Sequence, residues 1–239
     1  VGLLDELLPE VARGDGITQG SYHRFDVLRH SLHTVDNALP RLDARWAALL
    51  HDVAKPVTRT EDASGIHFYG HDAEGEKLTR AILTRLRYSK QFTEKVALLV
   101  RWHMFPVHAH STDKALRRFI RKVGKANVLD LVELRRADIL ALGRQTTHES
   151  WINWQTLKDR LVEIMDSDAT FAVSDLAVNG HDVMVALDLP PGPEVGSALE
   201  WLLEKVVDEP KLNQREKLLD LLQSYEKTSF MQNRQENSI

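Results

Sequence analysis

Four side chains in this sequence have the types and order of a divalent-metal site: His30, His51, Asp52 and Asp138. Ions that activate water take hard or borderline ligands, and neutral imidazole with carboxylate supplies them. His51-Asp52 ends the apolar run AALL and is followed by VAKP. Adjacent helical residues point about 100° apart, so both reach one ion only from a helix end or a concave wall. His30 falls on the preceding helix. Asp138 falls on a later one, in LRRADIL, where a carboxylate between Ala137 and Ile139 is poorly explained as surface. Three helices can therefore converge four ligands. A cation there would lower the pKa of its water from about 15.7 to roughly 7. Asp52 would hold the metal and could orient that water; were the substrate a phosphoester, the hydroxide would be the group to attack its phosphorus. Lys55, one turn beyond His51, is a candidate for a phosphate oxygen; the alternative is a solvated cation near a helix C-terminus.

The dipeptide is weak evidence alone, because His-Asp recurs at 71–72 and 181–182. His181-Asp182 reads as a plain helix start, with Asp182 near the positive end of the dipole. A second feature is a row of cations. Lys114, Arg117, Arg118, Arg121, Lys122 and Lys125 fall on one helix face, with Leu116, Phe119, Ile120 and Val123 on the other. Only Asp113 interrupts the row, which suits a phosphate backbone, most plausibly RNA. The alternative is the solvated side of an amphipathic helix.

The elements that must position these groups are helices. Residues 25–39 read as one helix, ended by Pro40. Asp43 caps a second, with Trp46, Ala47, Leu49, Leu50 and Val53 at helical spacing. A loop carrying Ser64-Gly65 follows. Further helices are expected over 72–87, 91–103, 112–123, 126–142 and 149–166, and no stretch shows strand alternation between hairpin turns. The expected fold is all-α: a helical bundle over 1–170, a small helical C-terminal domain over 171–226 with a last helix at 213–225, and a disordered polar tail over 227–239.

Composition narrows the class. Cysteine is absent, which excludes disulfides, zinc-thiolate sites and thiol catalysis. No apolar run approaches the ~20 residues of a membrane span, and no secretory signal opens the chain, so a cytoplasmic location is expected. A chain that opens at Val1 reads as a piece of a longer protein. Residues 1–147 hold 23 Lys and Arg against 18 Asp and Glu, and residues 148–239 hold 8 against 17. That asymmetry suggests surfaces that face a polyanion differently.

The segments YHRFDVLRHSLHTVDNA, WAALLHDVAKPVTRT, GIHFYGHDAEGEKLTRAILTRLRYS and VALLVRWHMF resemble the HD domain of bacterial tRNA nucleotidyltransferases, the CCA-adding and poly(A) polymerase family. LRRFIRKVG, LVELRRADILALG, LAVNGHDVMVALDLPPGPEVGSALEWLLEKV and LNQREKLLDLL continue the resemblance in order. The N-terminal nucleotidyltransferase head of that family, with its glycine-rich loop and paired aspartates, is not in this sequence. The resemblance implies an HD-type bundle and two alternatives. The favoured one is a divalent-metal phosphohydrolase acting on 2′,3′-cyclic phosphates, 2′-nucleotides or simple phosphate esters. The other is the tRNA-binding body of a nucleotidyltransferase without its catalytic head. Some HD phosphohydrolases resemble the order H…HD…H…H…D, which adds His71 and His103 as ligands of a second ion bridged by Asp52; His67, His108 or His110 could substitute. One or two ions of Ni, Co, Mn, Mg, Fe or Zn are implied. The implied partners are a nucleotide or RNA phosphoester and tRNA, with a homodimer among the open assemblies.

Overall fold

The computed structural model describes residues 2–20, 24–143, 148–167 and 171–236, the side chains of 226–236 excepted. Two short helices open the chain, α1 (Leu3–Leu7) and α2 (Pro9–Ala12). They are followed by α3 (Val27–Asn37), α4 (Leu42–Leu50), α5 (Lys55–Thr58), the strands β1 (Thr60–Asp62) and β2 (Gly65–His67), α6 (His71–Arg85) and α7 (Lys90–Trp102). Then come α8 (Asp113–Val123), α9 (Lys125–Ala141), α10 (His148–Asp166), α11 (Gly180–Leu187), α12 (Pro193–Asp208) and α13 (Arg215–Glu236). The fold is all-α, and no helix among the described residues is long and apolar enough to cross a membrane.

The chain divides into two compact units that interleave in sequence. One comprises residues 1–109 and 126–159, the other 110–125 and 160–239. The expected boundary at 170 abuts 168–170, outside the described residues. In the first unit α6 packs on α7, and α4 packs on α3 and α7. Gly75 permits the α6–α7 approach, since a Cβ there would meet Val100 Cγ1 at 3.1 Å. In α3 the buried positions are Val27, His30, Ser31 and Thr34, the i, i+3, i+4, i+7 stripe of a core-facing helix. His30 thus sits on the inward face. In the second unit α12 packs on α8, α11 and α13 around Val183, Leu202, Leu203, Val206, Leu218 and Leu222.

Several local expectations are corrected. The segment after Lys55-Pro56 is not a plain loop. Thr60, Glu61 and Asp62 pair antiparallel with His67, Ile66 and Gly65. Its strands are three residues each, one exposed and the other half-buried along its length, so no period-2 signal exists in the sequence. The turn is instead held by Asp62, whose carboxylate accepts from Ser64 N at 2.8 Å and Oγ at 2.6 Å. Arg41, not Asp43, occupies the N-cap of α4, and Asp43 lies in the first turn, paired with Arg41 at 2.8 Å. The last helix begins at Arg215, two residues past Asn213, and runs to Glu236 rather than ending at 225. The side chains of most of the expected tail lie outside the described residues.

Ile82 is fully buried between α6 and its neighbours. Ile82→Ala should cost about 2–5 kcal/mol by transfer and cavity terms, read as a lowered denaturation midpoint. A loss below about 1 kcal/mol would mean this core collapses around the gap.

Candidate metal centre

The ligand-bearing residues come from element ends and from two inward helix faces. His51 occupies the C-cap of α4, Asp52 lies in the turn that follows, and His71 is the first residue of α6. His103 is the C-cap of α7, His30 lies within α3 and Asp138 in the last turn of α9. Each imidazole has its Nδ1 against a backbone carbonyl. His51 meets Ala48 O at 2.8 Å, His71 meets Phe68 O at 2.8 Å, His103 meets Val100 O at 2.7 Å, and His30 meets Ala141 O at 3.3 Å. A carbonyl only accepts, so Nδ1 carries the hydrogen and Nε2 presents a lone pair. A carbonyl on one ring nitrogen is the arrangement that orients a metal-ligating histidine.

The four Nε2 atoms point at one another. They are 3.3 Å apart for His30 and His51, and 3.2 Å apart for His71 and His103. Asp138 Oδ1 lies 2.9 Å from His30 Nε2 and 3.8 Å from His51 Nε2. Asp52 stands between the pairs. Its Oδ2 lies 3.1 Å from His51 Nε2, and its Oδ1 lies 3.5 Å from His71 and 3.7 Å from His103. Lone pairs at such distances need a proton or a cation between them. His30, His51 and Asp138 form one group that could hold an ion, and Asp52, His71 and His103 form a second. The residues fit a divalent metal by this test. Of the four residues first expected to share one ion, Asp52 falls with His71 and His103, the pair expected for a second ion, and it also faces His51. Neither group contains His67, His108 or His110.

Electrostatics follows from burial opposed by neighbours. Burial alone would lower the pKa of His51, but the carboxylates of Asp52 and Asp138 raise it above its ordinary value. Burial would raise Asp52, yet His51, Lys55 and His103 hold it well below the usual carboxylate range. Asp138 is similarly brought to about 2, against burial, by its hydrogen bond with His30. His103 is pushed down to about 4, first by burial and then by the charge of His51.

Lys55 is buried rather than solvated. Its Nζ lies 2.7 Å from Asp52 Oδ2 and donates to Gln19 Oε1 at 2.5 Å. Gln19 and Arg135 are site residues that the sequence reading missed. Arg135 Nη2 donates to the carbonyls of His103 and Phe105 at 3.2 and 3.0 Å, and its guanidinium lies 3.9 Å from the Phe105 ring centroid. Its signal was available, because Arg135 precedes Asp138 by three residues and so shares its helix face. Gln19 had none. The groups open into a cavity of about 430 Å³ that Gln19, Lys55, Phe68, Tyr69 and Met104 also line.

Three of the cations on α8 have acidic partners while remaining at the surface. Lys114 and Arg118 reach Asp208 at 2.9 and 2.7 Å, and Arg121 reaches Glu200 at 2.6 Å. Arg117 Nε donates to Val207 O at 2.8 Å, and Lys125 to Met165 O. Lys122 is exposed and has no ion pair among the described residues. Besides Asp113, which the sequence places beside the row, α12 supplies counter-charges from about 80–90 residues away. His181-Asp182 is structural, as expected. Asn179 caps α11, Asp182 completes the capping box, and Arg215 pairs with Asp182 at 2.7 Å.

The family described as tRNA nucleotidyltransferase domain 2 matches residues 71–222. An A-adding tRNA nucleotidyltransferase of Deinococcus radiodurans is 36% identical over 85% of this chain and 48% of its own length. A CC-adding tRNA nucleotidyltransferase of Thermus thermophilus is 39% identical over 85% of this chain and 46% of its own length. A multifunctional CCA protein of Neisseria gonorrhoeae is 38% identical over 43% of this chain and 26% of its own. The chain spans about half the length of the first two relatives. These findings overturn the expectation of an HD phosphohydrolase, because the relatives are named as transferases, not hydrolases. The physical reason is that a ligand set specifies what an ion can bind to, not which reaction is run beside it.

One outcome follows from His103. Its folded pKa of about 4 lies below the ordinary 6.5, so folding excludes a proton that the unfolded chain binds. In metal-free protein this contribution to stability is complete above pH 6.5 and is lost as pH falls toward 4. Urea titrations should show a shallower decline over that window for His103→Gln than for wild type. Equal slopes would place the proton uptake elsewhere.

Proposed function

Because the chain belongs to the tRNA nucleotidyltransferase family, we propose that it acts as the tRNA-binding body of an enzyme of that family and holds one or two divalent ions at its His–Asp centre. The observation that carries the tRNA reading is similarity over 85% of the chain to A-adding and CC-adding tRNA nucleotidyltransferases. No nucleotide transfer is expected from this chain alone, whose sequence carries no glycine-rich loop with paired aspartates. Its contribution is to grip RNA. Lys122 is the cation of the α8 row most ready to meet a phosphate, while Lys114, Arg118 and Arg121 must exchange Asp208 and Glu200 for one. Such binding is salt-dependent, because each phosphate contact releases counterions.

The convergence of Nε2 atoms supports the metal part of the reading. His30, His51 and Asp138 would hold one ion and Asp52, His71 and His103 the other. Bound ions would supply positive charge for phosphoester oxygens. Lys55, at the same cavity wall, would add its ammonium. Which divalent metal is native is left to measurement.

Two measurements test these readings. In filter binding the chain should retain tRNA at low salt. Lys122→Glu should weaken retention and reduce the slope of log affinity against log salt by about 1. No tRNA retention at low salt would end the tRNA reading. In equilibrium dialysis with Mn²⁺ or Ni²⁺, wild type should bind up to two equivalents, and Asp52→Ala should lose at least one. Because His51 holds its proton above the ordinary value, metal affinity should rise with pH through neutrality. Undiminished stoichiometry in Asp52→Ala would remove Asp52 from the ligand set.

A further inference from the structure

We propose that Tyr69, braced by His67, forms a base-stacking lip over the His–Asp centre, so that this cavity takes a nucleotide with its ring on Tyr69 and its phosphate toward Lys55 and the ligand groups. The inference rests on the reading that the centre holds divalent ions, and it adds the residue that selects a ligand with a flat ring. Tyr69 is 76% exposed, the most exposed large apolar side chain among those described. A single exposed aromatic is ordinary on a protein surface. This one lines the same cavity as His51, Asp52, Lys55, His71 and His103.

The ring is also held in place. The rings of Tyr69 and His67 are stacked, with centroids 5.1 Å apart and planes 10° from parallel. Tyr69 Oη lies 3.3 Å from His67 Nδ1. His67 Nε2 is fixed in turn by Ser64 Oγ at 2.8 Å and Asp62 Oδ1 at 3.2 Å. The small hairpin of β1 and β2 therefore acts as a bracket. It leaves one face of Tyr69 against His67 and the other uncovered among the described contacts. A rigid aromatic with one open face loses little conformational entropy when a flat ring lands on it.

The lip and the floor of the cavity are joined by a very short piece of chain. Gly70 has φ of +74°, the left-handed conformation that glycine adopts without a Cβ penalty. It turns the backbone between Tyr69 on the rim and His71 in the ligand group. Phe68 completes the link, because its carbonyl accepts from His71 Nδ1 and its ring lies 5.4 Å from Lys55 Nζ. Two residues reach at most ~7 Å, comparable to the span from ring to phosphate in a mononucleotide. A cavity of about 430 Å³ lies within the range of small-molecule sites, about 300–1,000 Å³. A bare phosphate would use the floor and leave Tyr69 without a role. A ligand with a flat ring and a phosphate uses both. A free nucleotide and the terminal nucleotide of an RNA share this chemistry.

The test uses the whole chain loaded with Mn²⁺. Equilibrium dialysis measures metal stoichiometry and the affinities of inorganic phosphate, adenosine monophosphate and a short single-stranded oligoadenylate, for wild type, Tyr69→Ala and Tyr69→Phe. Loss of one stacked base should weaken adenosine monophosphate by about 5- to 100-fold in Tyr69→Ala. Phosphate affinity and metal stoichiometry should be unchanged, and Tyr69→Phe should stay within about twofold of wild type. Tyr69-dependent binding of the oligoadenylate tighter than that of the mononucleotide assigns the site to an RNA end. Dependence seen with the mononucleotide alone assigns it to free nucleotide. Adenosine monophosphate bound no more tightly than phosphate, or equally by wild type and Tyr69→Ala, overturns the lip while the metal reading stands. A wild type that binds no ion overturns the metal reading and the lip together.

Discussion

The four imidazoles of the centre each commit Nδ1 to a backbone carbonyl, and much of the surrounding architecture serves to deliver those carbonyls. His51, His71 and His103 use the carbonyl three residues earlier, and each stands at a helix end or start. His30 uses Ala141 O, which ties α3 to the C-terminal turn of α9. With Nδ1 protonated, the lone pairs on Nε2 are driven toward one another at 3.2–3.3 Å. That repulsion must be relieved by a proton or a cation. Against burial, Asp52 is held well below the ordinary carboxylate range by His51, Lys55 and His103, and Asp138 is lowered by its hydrogen bond with His30.

This constraint explains features that look unrelated. Gly75 brings α6 close to α7 so that His71 and His103 can meet. Arg135 binds the carbonyls of His103 and Phe105 and so fixes the chain as it leaves α7. Lys55 carries a buried positive charge against Asp52, and Gln19 satisfies another of its donors. A buried ammonium is costly unless paired and hydrogen-bonded, and both conditions are met.

The second unit follows a different logic. The buried face of α8 and the core of α12 are apolar, while their flanks carry opposite charges: Arg118 with Lys114 against Asp208, and Arg121 against Glu200. Exposed pairs of this kind are screened by solvent and contribute little to stability, and so can be exchanged for phosphate at little cost. The proposed RNA-gripping role would use cations that are positioned yet releasable. The family relationship and this chemistry point the same way, whereas the ligand set alone pointed to hydrolysis.

Much was legible in the sequence by itself. Helical periodicity located most helices to within a few residues, because an amphipathic stripe is a local property of the chain. The types and order of His30, His51, Asp52 and Asp138 made them candidate metal ligands, and the family resemblance added His71 and His103. The tertiary structure decided what depends on distant partners. It set Asp52 in one group with His71 and His103 while turning its other oxygen to His51, because carboxylate direction is set by packing and not by spacing. It set the α8 cations against acids far along the chain, which no local window could register. It also formed a hairpin from a segment with no alternation, because a two-strand turn held by Asp62, Ser64 and a left-handed Gly65 needs no buried face.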